Sequence, residues 1–225
     1  VDFQVAIGSL PRYFRPNLES FVPRSHGYLT ASSELHDKWL ARYAQLGAGM
    51  KVGISWRGGR KELPEIQQQR TTALAQWREL FEAGAEQVHF IDLQYGEHDA
   101  EVVAIEREQG VTLQRWADAD PLKDLDDFAA QIAALDLVIC VDNSTVHFAG
   151  SLGVPVWVLL PFEHDWRWMV AREASYWYSA VRLFHQQQQG EWQAVFQQVA
   201  TALTAKLAQQ QSQEAGDNDN AAEVG

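Results

Sequence analysis

The spacing of apolar positions changes period repeatedly between residues 51 and 207, and strand-like runs alternate with helix-like ones. Lys51-Val-Gly-Ile-Ser-Trp56 predicts a buried strand that ends in the loop Arg57-Gly58-Gly59-Arg60-Lys61. Residues 72–83 place Leu74, Trp77, Leu80 and Phe81 on one helical face, with Gly84 near the end. Residues 88–94 form a second strand, 97–109 a helix closing at Gly110, and 111–116 a short third strand. Asp124 is placed to cap the next helix, whose apolar face is Leu125, Phe128, Ala129, Ile132 and Leu135. Residues 137–142 are apolar up to Asp142, as in a central parallel strand. A short helix over 144–152 ends at Gly153, a fifth strand covers 154–160, and a sixth begins at Val181. The last helix, 190–207, aligns Trp192, Phe196, Val199, Leu203 and Leu207.

This alternation predicts an α/β fold, a Rossmann-like doubly wound parallel sheet of about six strands with flanking helices. Ligands of such sheets sit beyond the carboxyl ends of the strands. The loops after Trp56, Gln94, Trp116, Asp142 and Leu160 are therefore the ones to inspect. Residues 1–49, with Pro11, Pro16, Pro23 and one helical stretch from Ser33, read as the tail of a preceding domain and a linker; residues 50–207 form the Rossmann-like domain. Residues 208–225, polar with little apolar bulk, read as a disordered tail.

Composition narrows the function classes. The 225 residues carry 18 Lys and Arg against 30 Asp and Glu, a formal net charge of −12. That field opposes binding to nucleic acid or to an anionic membrane. One cysteine, Cys140, excludes an internal disulfide and a Cys-rich zinc site. The longest apolar stretch is too short to span a bilayer, no signal peptide is visible, and a cytoplasmic location is expected.

Three segments carry candidate chemistry. In Asp142-Asn143-Ser144-Thr145-Val146-His147, small polar residues open a helix whose first-turn N–H groups and dipole suit an anion; simple capping by Asp142 or Asn143 explains the same pattern. In Arg57-Gly58-Gly59-Arg60-Lys61, two glycines and three cations suit a diphosphate, or form a solvated basic loop; Arg70 can join them. In Asp165-Trp166-Arg167-Trp168, indole and charged groups fit a wall for a sugar or base. Trp166 and Trp168 are the two of nine tryptophans assigned to a site; Trp77, Trp157 and Trp192 read as core. Gln94 and Tyr95 can reach a ligand there. Asp118, Asp120 and Asp124 could hold a metal, although capping and solvation account for them. Neither G-x-G-x-x-G nor a P-loop is present, which disfavours a dehydrogenase.

Together, Gly53-Ile-Ser-Trp-Arg-Gly-Gly59, Asp92-Leu-Gln-Tyr-Gly96, Pro121-Leu-Lys-Asp-Leu-Asp-Asp-Phe128, Asp142-Asn-Ser-Thr-Val-His147 and Asp165-Trp-Arg-Trp168 resemble the C-terminal half of bacterial GT-B glycosyltransferases. The likeness is to the region found with tetratricopeptide repeats, which is similar to the ADP-heptose:lipopolysaccharide heptosyltransferase family. It implies a donor-binding domain for a nucleotide sugar, with a second Rossmann domain supplying the acceptor site and the catalytic base. Ser144, Thr145 and His147 would hold the donor diphosphate, opposite Arg57, Gly58 and Lys61, and Asp142 and Asn143 would shape the turn. Gln94, Asp165, Trp166 and Arg167 would contact sugar or base. No cofactor and no metal are expected, and the acceptor is a glycan or protein. Ser144 replaces the glycine typical of heptosyltransferases, so the heptose donor is not carried over. The first Rossmann domain has no counterpart here, so no catalytic base is named. On its own the chain can be inactive, and its last helix can pack toward that second domain. The alternatives are a non-catalytic nucleotide-sugar-binding module and a GT-B nucleotide-sugar epimerase.

Overall fold

The computed structural model describes residues 3–22, 24, 26–58, 64–170 and 172–223. Six strands form one parallel sheet: β1 (Met50–Ser55), β2 (Val88–Asp92), β3 (Leu113–Gln114), β4 (Leu137–Val141), β5 (Val156–Leu160) and β6 (Val181–His185). The order is β3-β2-β1-β4-β5-β6, so the direction of winding reverses between β1 and β4. This is the doubly wound Rossmann-like arrangement that the periodicity predicts.

Helices α1 (Pro11–Phe14), α2 (Ser33–Ala44), α3 (Pro64–Gln69), α4 (Arg78–Gly84), α5 (Asp99–Gln109), α6 (Leu125–Ala133), α7 (Ser144–Leu152) and α8 (Gln193–Glu223) complete the chain. Side chains alternate along each strand between the two faces. Val52, Ile54, Leu137, Ile139, Trp157 and Leu159 pack with Leu80, Val102, Phe196 and Val199 under α4, α5 and α8. Val138, Cys140, Val156 and Val158 pack with Trp39, Phe128 and Val146 under α2, α6 and α7. Gly53 lies between two leucines of the second face. A Cβ there would come within 2.5 Å of Leu93 and 2.6 Å of Leu135, so only glycine fits the centre of β1.

Several boundaries differ from the sequence pattern, each for a visible reason. The stretch 72–83 begins with a 3₁₀ turn, Leu74–Trp77, because the Thr72 N–H and hydroxyl are both donated to the Trp56 carbonyl. The third strand shrinks to two residues at the sheet edge, where only β2 pairs with it. Leu125 is 58% exposed and not part of the apolar face of α6. That helix is rotated by α2, whose Trp39 donates its indole N–H to Asp127 at 3.0 Å and whose Tyr43 donates to the Gln131 carbonyl. Residues from Ser33 onward therefore belong to the packed α/β body and not to a linker. The apolar line of α8 faces its own sheet beside α4, which corrects the expectation that it packs toward another domain. α8 also runs on to Glu223 where a disordered tail was expected. Ala and Gln are good helix formers, and each residue added to an anchored helix gains a hydrogen bond without a new nucleation cost.

Candidate functional site

The winding reversal puts the carboxyl ends of β1 and β4 side by side, and two of the three sequence-predicted segments leave from there. β4 ends at Val141, and Asp142 and Asn143 lead into α7. Asn143 is the N-cap: its side-chain oxygen accepts the Thr145 N–H at 3.0 Å. Other first-turn N–H groups of α7 have no partner within the helix, and Ser144 stands exposed at the opening. Gly58 lies against this turn. A Cβ on it would reach the Asp142 carbonyl at 3.0 Å and the Asn143 Cβ at 3.3 Å. Glycine is what lets the two loops touch. Lys61 lies outside the described residues, as do Gly59 and Arg60.

The polar side chains between the loops act as braces. Gln94 is 5% exposed, and its Oε1 accepts from Ser55 Oγ at 3.1 Å, Trp56 N at 2.9 Å and Arg57 N at 2.8 Å. Asn143 Nδ2 donates to Ser55 Oγ at 2.8 Å and to the Arg57 carbonyl at 3.0 Å. The backbone of Arg57 is thus held from both sides, by residues that the sequence pattern offered as ligand contacts or a simple cap. The Arg57 guanidinium donates to the Glu97 carbonyl at 2.8 Å and lies 3.9 Å from the Glu101 carboxylate. Glu101 in turn accepts from the Trp56 indole and from Leu74 N.

The segment after β5 reaches the same opening. Asp165 caps the turn Trp166–Trp168 through the Arg167 N–H and pairs with the Arg167 guanidinium at 3.2 Å. Arg70 lies between the two loops, 3.4 Å from Asp142 Oδ2 and 4.0 Å from Asp165 Oδ2. Asp142 Oδ2 is buried and makes no hydrogen bond among the described residues. Arg70 and Arg167 are thus held by Asp142 and Asp165 beside the loops at the α7 N-terminus, whereas the Arg57 guanidinium is held by Glu97 and Glu101 near the start of α5. His147, in the first turns of α7, accepts from or donates to the Tyr178 hydroxyl at 3.0 Å and stacks on Trp168, with centroids 5.7 Å apart and planes 11° apart. Burial, and then the Arg167 charge, pull the His147 pKa below the ordinary imidazole value, which favours the neutral ring. Trp168 is 1% exposed and backs His147 from the core, whereas Trp166 is exposed and stands edge-on to Trp177.

Sequence pattern did not reveal His98, Tyr178 or the bracing role of Gln94. His98 lies between the Asp92 carboxylate at 2.7 Å and the Gly96 carbonyl at 2.6 Å, which fixes the turn carrying Tyr95. Burial opposes its charge, but the hydrogen bond and charge of Asp92 outweigh that and raise its pKa. Burial raises the Tyr95 pKa. The acidic residues considered for metal binding have other partners: Asp118 pairs with Arg42, Asp124 caps α6, and Asp120 accepts from Leu122 N and pairs with Lys123. Among the described residues no cluster of His, Cys, Asp and Glu could hold a metal ion. Cys140 is fully buried and its thiol is raised by burial, which makes it an inert core residue. No helix of the described residues is long and apolar enough to cross a membrane.

No family model matches the chain. It is 33% identical over 202 residues to Protein FlbA of Caulobacter vibrioides, an alignment that takes in 90% of this chain and 33% of that protein. The chain thus spans about a third of the length of that relative. Its fold is similar to the crystal structure of the glycosyl transferase family 9 from Veillonella parvula, with a TM-score of 0.58 and 15% identity over 83% of this chain and 55% of that one.

Proposed function

We propose that this chain is the donor-binding half of a glycosyltransferase that uses a nucleoside diphosphate sugar. The observation that carries this is the placement of Arg70 and Arg167 on Asp142 and Asp165 beside the α7 N-terminus, with the Arg57 loop braced on the same turn by Asn143, at the winding reversal of a glycosyltransferase-like sheet. In a chain of net charge −12, guanidinium groups beside free helix N–H groups suit an anion such as a diphosphate.

The chemistry follows from where charge develops. Cleaving the bond between sugar and diphosphate leaves negative charge on the departing phosphate. Fixed N–H dipoles and arginines aimed at that point stabilise the transition state more than the ground state. No metal is needed in this scheme. Asp142 and Asp165 hold Arg70 and Arg167 in place before the ligand arrives, and the neutral His147 is positioned to take up a proton when phosphate binds. The groove along the carboxyl ends of β2 and β3, about 730 Å³ and bordered by Tyr95, His98 and Trp116, is the space this reading assigns to the nucleoside. The acceptor, a glycan or protein, and the catalytic base would come from a further domain.

A second reading is a nucleotide-sugar-binding module without catalysis. It is favoured by the pairing of both carboxylates at the opening with arginines, which leaves neither poised as a base. Both readings predict that Arg57→Ala and His147→Ala lower nucleoside diphosphate affinity by about tenfold or more with little loss of stability, as expected for charge-assisted contacts. Unchanged affinity in both variants rules the site out. Sugar transfer from a donor, assayed with the second domain present, separates enzyme from module.

A further inference from the structure

A second cavity, of about 490 Å³, opens between residues 15–28 and the segment 176–180 that leads into β6. Its size falls within the range of small-molecule sites, about 300–1,000 Å³. Among its described lining residues are Arg15, Arg24 and His26, and there is no Asp or Glu. Among the described residues no carboxylate pairs with any of the three. In so acidic a chain, a concavity whose charged lining is two arginines calls for a physical reason.

The remaining wall is aromatic and preorganised. Phe21 stands edge-on to Trp177, with centroids 4.9 Å apart, and lies 5.3 Å from Tyr176. Tyr28 and Tyr178 stack at 6.3 Å with planes 16° apart. The Tyr178 ring is pinned because it covers Gly150, where a Cβ would come within 2.6 Å of it. Arg24 and Tyr28 are tied to the body by Arg24 N to Ser179 Oγ at 3.1 Å and by Ser151 Oγ to the Tyr28 hydroxyl at 2.8 Å. Flat rings offer stacking to the C–H faces of a sugar ring, and guanidinium groups bind carboxylate or phosphate in paired hydrogen bonds.

We infer that this cavity is a binding site for a small anionic saccharide, separate from the arginine-lined opening at α7. The two sites adjoin through single residues. Tyr178 holds His147 by its hydroxyl, and Trp177 donates its indole N–H to the Arg167 carbonyl at 3.1 Å. The cavity residues are distinct from those assigned to the diphosphate, so the inference stands or falls independently of the nucleotide-sugar proposal.

The test is calorimetric titration of the full chain with glucuronate and with glucose 6-phosphate, which distinguishes a carboxylate from a phosphate ligand. Glucose is the neutral control, and acetate and inorganic phosphate are the ringless ones. Saturable one-to-one binding of at least one charged sugar is expected, weakened fivefold or more by Arg24→Gln and by Arg15→Gln. Both variants should keep the wild-type circular dichroism and the wild-type response to nucleoside diphosphate. The inference is overturned by no saturation in the millimolar range. It is equally overturned by glucose or a ringless anion binding as tightly as the charged sugars, or by indifference of their affinity to both substitutions.

Discussion

Replacing Gln94 by Ala should destabilise the whole sheet end although the residue leaves only 5% of its surface exposed. The substitution removes the acceptor for Trp56 N, Arg57 N and Ser55 Oγ together. A buried donor left without a partner costs about 1–3 kcal/mol. The Ser55 hydroxyl can rotate, and a water molecule can enter the space vacated by the side chain, so the sum lies toward the low end, about 3 kcal/mol. In urea denaturation this lowers the midpoint by on the order of 1 M. Gln94→Glu keeps an accepting oxygen for the three donors, but it loses the Nε2 bond to the Tyr95 carbonyl at 3.2 Å and turns a buried carboxylate oxygen toward that carbonyl. It should recover part of the loss. Nucleotide affinity should fall in Gln94→Ala through the loosened Arg57 loop. A cost below about 1 kcal/mol for Gln94→Ala, or no recovery in Gln94→Glu, refutes the idea that one amide oxygen organises three donors.

Other expectations follow from neighbouring residues. Asn143→Ala removes the α7 cap and two bonds to the Arg57 loop, and should cost about 2 kcal/mol by thermal or chemical denaturation. Asn143→Asp keeps the cap but turns a carboxylate toward the Arg57 carbonyl, so it should not restore stability. On the proposed reading a phosphate beside the α7 N-terminus favours the charged form of His147, whose pKa is lowered in the free protein, so binding should be coupled to proton uptake. Nucleotide affinity should therefore rise as pH falls from 8 toward and below about 6.5, and titrations in buffers of different ionisation enthalpy should reveal that proton; His147→Gln should remove both effects. His98 has a raised pKa, so its contribution is fully present below the unfolded value of about 6.5 and is lost as pH rises through the folded value. The stability difference between the protein and His98→Gln should shrink with rising pH.

The layer architecture could be read along the chain because it is written in local period. Strand runs, helical faces, the Asp124 cap and the left-handed glycines at 110 and 153 all depend on near neighbours. The loops at the opening could be located for the same reason, since the fold places strand ends. What those loops do to one another could not be read. Gln94 reaches Arg57 across 37 positions and Asn143 reaches it across 86, and no periodic signal encodes such pairs. His98 carries no signal in the sequence pattern; the turn at Gly96 brings Asp92 beside it. The packing of α2 on α6 was hidden for a related reason. Trp39 and Tyr43 lie in a helix whose polar residues Lys38 and Arg42 hold acidic partners almost ninety positions or fewer away, at Asp127 and Asp118.

The central claim is that the opening at the α7 N-terminus binds a nucleoside diphosphate through arginines and helix N–H groups. It is tested most directly by calorimetric titration of the folded chain with a panel of nucleoside diphosphates and their sugars, with magnesium and with a chelator. The account predicts saturable one-to-one binding to one nucleotide, equal in both conditions and abolished in Arg57→Ala/Arg70→Ala. Absence of binding across the panel, or binding that survives loss of both arginines, contradicts it.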